Sequence, residues 1–152
     1  MEKQIEDNQI KKILENSKVI ALVGASSQKD KTSNIVMKYL LSFGYEVIPI
    51  NPGFVGQEIL GQNTLANVNE IQKPIDIIDI FRPSEHAEKV VEESIKLNPK
   101  TIWLQLGIKS QKSKNICMEN NINYIENSCI KTEYQRIIQK KQINFPHLTK
   151  NL

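Results

Sequence analysis

The chain has 152 residues, of which 39% are hydrophobic and 24% charged, values typical of one globular domain with a single core. Its net charge of +3 is too small to indicate a nucleic-acid-binding surface, and no segment approaches the roughly 20 apolar residues that cross a bilayer. Two cysteines, Cys117 and Cys129, exclude a disulfide framework, and the mixed-charge N-terminal stretch is unlike a signal peptide. We therefore expect a cytoplasmic protein that forms one domain over residues 1–152.

Apolar runs of strand length alternate with helical patterns along the chain. The apolar runs predict strands over residues 19–23, 46–50, 75–81, 101–106 and 122–126. The helical patterns predict helices over residues 4–15, 33–43, 65–71, from 84 to near 98, 110–120 and 133–140. In the second helix Ser33 is the expected N-cap and Gly44 the expected end. Its expected buried face consists of Ile35, Val36, Tyr39, Leu40 and Phe43.

Strands that alternate with helices favour a parallel sheet, because each strand must be reached by a crossover connection. Right-handed crossovers then build a doubly wound α/β fold: a mainly parallel, five-stranded Rossmann-like sheet with helices on both faces. We expect its core over residues 18–133, helical extensions at both ends, and a topological switch point beside the first strand. Ligands of such sheets bind at the carboxyl ends of the strands, so the residues after each strand form the candidate site.

The loop after the first strand combines small residues with hydroxyls: Gly24, Ala25, Ser26, Ser27 and, at the start of the helix, Ser33. Backbone N–H groups and a helix N-terminus bind phosphate at this place in α/β sheets, and Lys29 and Lys31 add positive charge. A dinucleotide fingerprint requires glycines where this chain has Ser26 and Lys29. The loop therefore predicts a phosphate contact but not an NAD loop. A serine-rich turn with solvated lysines is the alternative.

The ends of the second and third strands supply further candidates. Asn51 and Pro52 follow the second strand, where a nicotinamide-binding protein has an acid for the ribose hydroxyls, so this turn argues against NAD. Phe81, Arg82 and Pro83 end the third strand. An arginine there can pair with phosphate, and the two flanking residues offer flat apolar surface for a base. A core phenylalanine and a surface cation are the alternative.

Three polar residues lie inside predicted strands. Gln105 interrupts the apolar fourth strand, and because a buried amide needs partners, it is expected either in the ligand crevice or bonded within the protein. Asp76 and Asp79 are unusual in a buried parallel strand. We expect them near the strand ends or bonded to backbone, and not in catalysis.

No catalytic set is recognisable in the sequence. Cys129 follows the fifth strand with Lys131 and Glu133 nearby, but it has no adjacent histidine, and we expect an inert thiol. His86 lies in the first turn of the helix after the third strand, so folding could bring it toward the strand ends. The cysteines and histidines lack metal-ligand spacing. We expect no intrinsic catalysis and no bound metal.

Six segments in order resemble the family of small stand-alone CoA-binding proteins, whose domain is related to the CoA-binding domain of the succinyl-CoA synthetase α subunit. They extend over about residues 18–133, most of the chain. They are Val23-Gly-Ala-Ser-Ser27 with Ser33, Val47-Ile-Pro-Ile-Asn-Pro52, Gly56 with Leu60-Gly61, Asp76-Ile-Ile-Asp-Ile-Phe-Arg-Pro83, Ile102-Trp-Leu-Gln-Leu-Gly-Ile108 and Cys129-Ile-Lys-Thr-Glu133.

The resemblance implies that the ADP part of coenzyme A, or of an acyl-CoA, contacts residues 24–27, 51–54 and 104–106. The synthetase relatives have a lysine in the turn after the second strand, where this chain has Phe54. Their phosphorylated histidine belongs to a second domain without counterpart here, so synthesis of acyl-CoA is not expected. An NAD(P)-dependent oxidoreductase and a regulatory or interaction protein are the alternatives. We expect a small-molecule nucleotide partner, and a homo-oligomer or a protein partner is compatible with the sequence.

Overall fold

The computed structural model describes residues 5–142. Its helices are α1 (Asp7–Asn16), α2 (Thr32–Ser42), α3 (Ser84–Ser94), α4 (Gln111–Glu119) and α5 (Ile130–Glu133). Its strands are β1 (Val19–Val23), β2 (Glu46–Ile50), β3 (Glu58–Ile59), β4 (Gln62–Asn63), β5 (Ile77–Ile80), β6 (Thr101–Leu104) and β7 (Asn123–Ile125). Short 3₁₀ segments lie at Pro52–Phe54, Val68–Glu70 and Ile95–Leu97, and a π-helical turn at Tyr134–Ile138.

The main sheet contains five strands in the order β2-β1-β5-β6-β7, and every neighbouring pair is parallel. The chain leaves β1 toward β2 on one side and returns to β5 on the other side of β1. The topological switch point is therefore between β1 and β5, where ligands of doubly wound sheets bind. The predicted fold class and the predicted switch point are both confirmed.

Each face of the sheet carries its own apolar core, because successive strand residues point to opposite faces. We call the core beneath α1, α2 and α5 the first core layer; it contains Leu22, Ile77 and Trp103. The second core layer lies beneath α3 and α4 and contains residues such as Ile78 and Ile102. Trp103 is fully buried, and its indole N–H donates to the Ser128 carbonyl at 2.9 Å, so its only polar atom is satisfied.

The start of α2 corrects one sequence-based expectation. Ser33 is not the N-cap, because the helix begins at Thr32, Lys31 occupies the cap position, and no side-chain hydrogen bond caps the helix. The Asn34 amide donates to the Ser26 carbonyl at 2.8 Å, which folds the preceding loop onto the first turn and encloses Ser33. The Ser33 hydroxyl is therefore buried in the first turn, and not placed ahead of it.

The buried face of α2 is also rotated from the prediction. Val36 and Leu40 are buried as expected, and Met37 joins them, but Ile35 and Phe43 are each 42% exposed. The Phe43 ring lies 4.8 Å from the Tyr134 ring, so an aromatic contact at the surface takes the place of burial in the sheet-facing core.

The connection from β2 to β5 differs from the predicted loop and helix. The expected irregular loop contains the antiparallel β3–β4 hairpin. The helix expected over residues 65–71 is only the 3₁₀ turn Val68–Glu70, because Leu65 is extended and bonded to the edge of β2. Its N–H donates to the Pro49 carbonyl, and its own carbonyl accepts from Asn51.

The helix predicted over residues 133–140 begins earlier, as α5, and continues as the π-helical turn Tyr134–Ile138. Arg136 in this turn donates to Asp7 of α1 at 2.8 and 2.9 Å and to Glu133, which joins the two terminal segments of the described chain. The rest of the expected C-terminal extension, residues 143–152, lies outside the described residues.

Candidate functional site

A cleft of about 250 Å³ lies at the switch point, between the carboxyl ends of β1 and β2 and one side of α3. Its lining combines strand-end apolar residues, the turn after β2 and cationic side chains. The lining residues are Val23, Gly24, Ile50, Asn51, Pro52, Ala66, Asn67, Val68, Arg82, His86, Lys89, Val90 and Glu93. This is the position at which the fold predicts a ligand.

Gly24 determines how closely the chain segments approach one another at the floor of this cleft. Its N–H donates to the Ile50 carbonyl at 2.8 Å, and the Phe81 N–H donates to the Val23 carbonyl at the same distance. Gly24 has a φ of +91°, and a Cβ there would lie 2.8 Å from the Phe81 carbonyl oxygen. Only glycine fits both the backbone angle and the space.

Asn51 joins the turn after β2 to the loop after β1. Its amide donates to the Ala25 carbonyl at 2.8 Å, and its side-chain oxygen accepts from the Gly53 N–H at 2.9 Å. Both ends of the side chain are thus used to hold the cleft walls in position, and Pro52 beside it contributes apolar lining.

The remaining predicted loop residues lie on the α2 side of Gly24 and do not line the cleft. The Ser26 hydroxyl accepts from the Gln28 N–H at 3.1 Å, while Ser27, Lys29 and Lys31 are exposed. The loop leads directly into the N-terminus of α2, which has no side-chain cap. The Asn34 and Ile35 N–H groups of its first turn donate to the Lys31 carbonyl, so the donors that this end can offer an anion are those of Thr32 and Ser33. The partial positive charge of the α2 N-terminus and the side chains of Lys29 and Lys31 therefore lie on the same side of the strand ends.

Arg82 lines the cleft, and α3 adds two basic side chains that the sequence did not lead us to assign. His86, considered only as a residue that folding could bring near, and Lys89 both line the cleft with Arg82. None of the three forms an ion pair within residues 5–142. Helical spacing was the available signal, since positions 86 and 89 fall on one side of α3, which begins two residues after Arg82.

Phe81, Pro83 and Gln105 lie near the strand ends but do not line the cleft. Phe81 is half-buried and packs against the first core layer, on the opposite face of the sheet, and Pro83 is exposed just before α3. Gln105 is buried, with its N–H bonded to the Ile80 carbonyl. Their assignment to a ligand remains a prediction.

The two strand aspartates have different surroundings. Asp76 accepts hydrogen bonds from the Lys18 and Val19 N–H groups at 2.8 and 2.9 Å, as expected for an acid at a strand end. Burial acts to raise the pKa of Asp76, but these hydrogen bonds and nearby Lys100 outweigh it and lower the pKa. Asp79 is fully buried without a partner, and burial raises its pKa well above the ordinary value. Asp79 is next to the last residue of β5, which agrees with the expectation of a place near a strand end, but it does not bond to backbone.

A larger recess of about 920 Å³ lies between α1 and α4, at the beginning of β7. It borders the amino end of that strand, away from the ends at which the fold predicts a ligand. Within the part of the chain that the structure describes, no helix is long and apolar enough to cross a membrane. The same residues contain no group of three acidic, histidine or cysteine side chains that would hold a metal ion.

Comparison with protein families gives a match to a CoA binding domain over residues 18–135, most of the chain and all of the cleft. The chain belongs to the CoA-binding domain family. This membership accounts for the order of the six segments identified in the sequence, from the loop after β1 to the start of α5.

Relatives of this CoA-binding domain include proteins of similar size. The uncharacterized protein YneT of Bacillus subtilis is 37% identical over 126 residues, which cover 83% of this chain and 92% of YneT. A solved structure of a hypothetical protein from Pyrococcus horikoshii has 34% identity and a TM-score of 0.84, and the match covers 91% of this chain and 99% of that one.

An enzyme also contains a related region. An ADP-forming acetate–CoA ligase of Methanocaldococcus jannaschii is 29% identical over 127 residues, which cover 78% of this chain but only 18% of the ligase. The CoA-binding domain described here therefore corresponds to a small part of that enzyme.

Proposed function

We propose that the protein binds coenzyme A, or an acyl-CoA, at the switch point and holds it by its ADP portion. The observation that carries this proposal is the cleft, in which Arg82, His86 and Lys89 lie across from apolar strand-end side chains. An adenine ring requires apolar surface, and the phosphates of the ADP portion require positive charge and N–H donors. Family membership supports the same ligand.

The pyrophosphate is assigned to the loop after β1. The eleven-residue helix α2 begins there without a side-chain cap, and the N–H groups of Thr32 and Ser33 at its start are the donors it can offer an anion. Exposed Lys29 and Lys31 lie in the same loop. Ser26 and Ser27 add hydroxyls next to Gly24, where a larger residue would displace the backbone.

The 3′-phosphate of CoA is assigned to the cations of the cleft. Arg82 has no ion pair in the described part of the chain, and a guanidinium forms paired hydrogen bonds with phosphate oxygens. Lys89 and His86 lie in the same cavity. NADH lacks this phosphate, so these cations favour CoA over NADH.

The turn after β2 supports the same choice. An NAD site uses an acid there to bind the ribose hydroxyls, whereas Asn51 uses both of its side-chain atoms to bridge the two loops. The one acid that lines the cleft, Glu93, comes from α3 and accepts a long hydrogen bond from Asn69 at 3.4 Å.

We propose also that the chain performs no chemistry on the ligand. The cleft lining contains His86 but no serine, threonine or cysteine that a histidine could activate. Purified protein incubated with acetyl-CoA or succinyl-CoA is expected to release no free thiol above the buffer rate. Turnover that is lost in His86→Ala or Cys129→Ser would overturn this part of the proposal.

Calorimetry on dialysed protein with CoA, NADH and ATP tests the proposed function. We expect CoA to bind, and to bind more tightly than NADH or ATP. Binding of NADH without binding of CoA would indicate an NAD(P)-dependent protein instead. Absence of heat with all three ligands would indicate a regulatory or interaction protein that has kept only the fold.

A further inference from the structure

Two buried polar side chains at the centre of the sheet lack hydrogen-bond partners. Both carboxyl oxygens of Asp79, on β5, and the side-chain oxygen Oε1 of Gln105, just after β6, are unpaired. Asp79 is 0% exposed and Gln105 is 5% exposed. A buried polar atom without a partner costs about 1–3 kcal/mol, so two such groups in neighbouring strands require an explanation.

The strand register brings the two side chains to the same face. Asp79 pairs with Trp103 in the parallel β5–β6 ladder, and the Gln105 N–H donates to the Ile80 carbonyl at 3.1 Å. Residues 103 and 105 point to one face, as do residues 77 and 79, and both sets belong to the side of the first core layer. Strand spacing and rise place the two Cα atoms roughly 8 Å apart, within the combined reach of the two side chains.

The surroundings of Asp79 offer no positive charge. It is the only Asp, Glu, Lys or Arg among the buried residues of the described chain. The elements that cover this layer carry the titratable side chains Tyr45, Cys129, Lys131, Glu133 and Tyr134. None of them contributes to the pKa shift of Asp79, for which burial is the only cause. Desolvation alone raises the pKa of Asp79 well above its ordinary value, which favours the protonated form of the carboxyl group.

We propose that Asp79 is a positioning residue: its carboxylic O–H donates to Oε1 of Gln105 and fixes that carboxamide with its NH₂ group toward the strand ends. This single hydrogen bond pairs the hydroxyl oxygen of Asp79 with Oε1 of Gln105, so two of the three atoms without a partner gain one. An ionised carboxylate would attract the NH₂ group instead and turn the Gln105 oxygen outward.

The consequence for binding rests on the proposed function. The cleft lies at the ends of β1 and β2, whereas Gln105 follows β6, further along the same edge of the sheet. With the ADP portion in the cleft, the part of CoA beyond the pyrophosphate would lie near Gln105. The pantetheine arm contains amide carbonyls, which accept hydrogen bonds. A Gln105 NH₂ group that Asp79 holds outward donates to such an acceptor. The proton on the Asp79 carboxyl group therefore determines that the strand ends near Gln105 favour ligand groups that accept hydrogen bonds.

The protonation of Asp79 is tested without a ligand, by ¹³C NMR of the aspartate carboxyl carbons from about pH 4 to pH 8, with Asp79→Asn to assign the signal. We expect one carboxyl group to remain protonated at pH 7 and to be missing from Asp79→Asn. Ionisation of Asp79 near the ordinary aspartate value of about 3.9 would overturn the inference.

The positioning role is tested by CoA affinity in matched variants. Asp79→Asn keeps a donor for Gln105, whereas Asp79→Leu keeps the branched shape without one. We expect Asp79→Leu and Gln105→Ala each to weaken CoA binding about tenfold, and Asp79→Asn to stay within about twofold of the parent. The double variant Asp79→Leu/Gln105→Ala should bind no more weakly than Gln105→Ala, because the two residues act through one contact.

Parent-like CoA binding by folded Asp79→Leu, or losses that add in the double variant, would contradict the positioning role. Circular dichroism of each variant establishes that it is folded, and the carboxyl measurement decides the protonation even if Asp79→Leu does not fold. A parent protein that binds no CoA would contradict the proposed function, whereas an ionised Asp79 in a protein that binds CoA would contradict only this inference.

Discussion

Gly24 lies where β1 is in close contact with both the end of β2 and the segment after β5. Replacing it with alanine requires both a positive φ and a shift of the Phe81 carbonyl, which a Cβ would approach to 2.8 Å. We expect Gly24→Ala to lower the free energy of unfolding by about 2–4 kcal/mol. Urea denaturation measures the loss.

Gly44 provides the matched control for this substitution. Its φ of +90° is almost the same, but a Cβ there meets nothing within 4 Å. Gly44→Ala therefore incurs only the backbone strain, about 1 kcal/mol. Equal losses in the two variants would show that the contact with Phe81 contributes nothing and that the floor of the cleft tolerates a side chain.

Arg82 lines the cleft, and we propose that it contacts the 3′-phosphate of CoA. We expect Arg82→Ala to weaken CoA binding roughly tenfold to a hundredfold, because a charge-assisted contact contributes about 1.5–3 kcal/mol. Dephospho-CoA lacks the 3′-phosphate, so the same substitution should change its affinity little. Calorimetry with both ligands separates these effects.

Lys38 is a suitable control for Arg82, because it is an exposed cation on α2 that does not line the cleft. Lys38→Ala should bind both ligands as the parent does. If Arg82→Ala lowers the affinity for CoA and dephospho-CoA by the same factor, Arg82 does not contact the 3′-phosphate. If neither affinity changes, Arg82 is only a surface cation.

At the scale of an element, β5 combines three isoleucines with one buried acid. Burial raises the pKa of Asp79 in the folded protein above its unfolded value of about 3.9, so the native state binds more protons than the unfolded state. Stability from this group is fully present below about pH 4 and is lost as pH rises toward the folded pKa. As pH rises from about 4 toward the folded pKa, we expect the free energy of unfolding of the parent to fall relative to that of Asp79→Asn.

Urea unfolding of the parent and Asp79→Asn at several pH values between about 4 and 8 measures this difference. The variant lacks the titrating group and is otherwise nearly identical in shape. The contributions of all other ionisable residues to the pH dependence therefore cancel in the difference between the two proteins. A difference in unfolding free energy that stays constant across this range would contradict a proton held by Asp79 in the fold.

Alternation of apolar runs and helical patterns predicted the five strands of the main sheet and the helices α1 to α4 in their order, because parallel strands require crossovers that leave few arrangements. The expectation for Asp76 was right for a related reason: an acid at a strand end has free backbone N–H groups beside it. The same alternation located Arg82 at a strand end, and the structure brings it into the cleft.

The expectations that failed depend on contacts between distant segments. Ser33 is not a cap because the loop folds onto α2 through Asn34 and Ser26, a bond that local preference does not reveal. Leu65 is extended because it pairs with the edge of β2, which overrides helix propensity. The surroundings of Asp79 depend on which segments cover the sheet, and these come from distant parts of the chain.

The central claim, that CoA occupies the switch-point cleft, is tested most directly by titrating ¹⁵N-labelled protein with CoA and mapping the amide shifts. We predict the largest changes at residues 24–27, 51–54 and 82–89, which form or adjoin the cleft, with the recess between α1 and α4 unaffected. Changes confined to that larger recess, with the switch-point amides unmoved, would contradict the account.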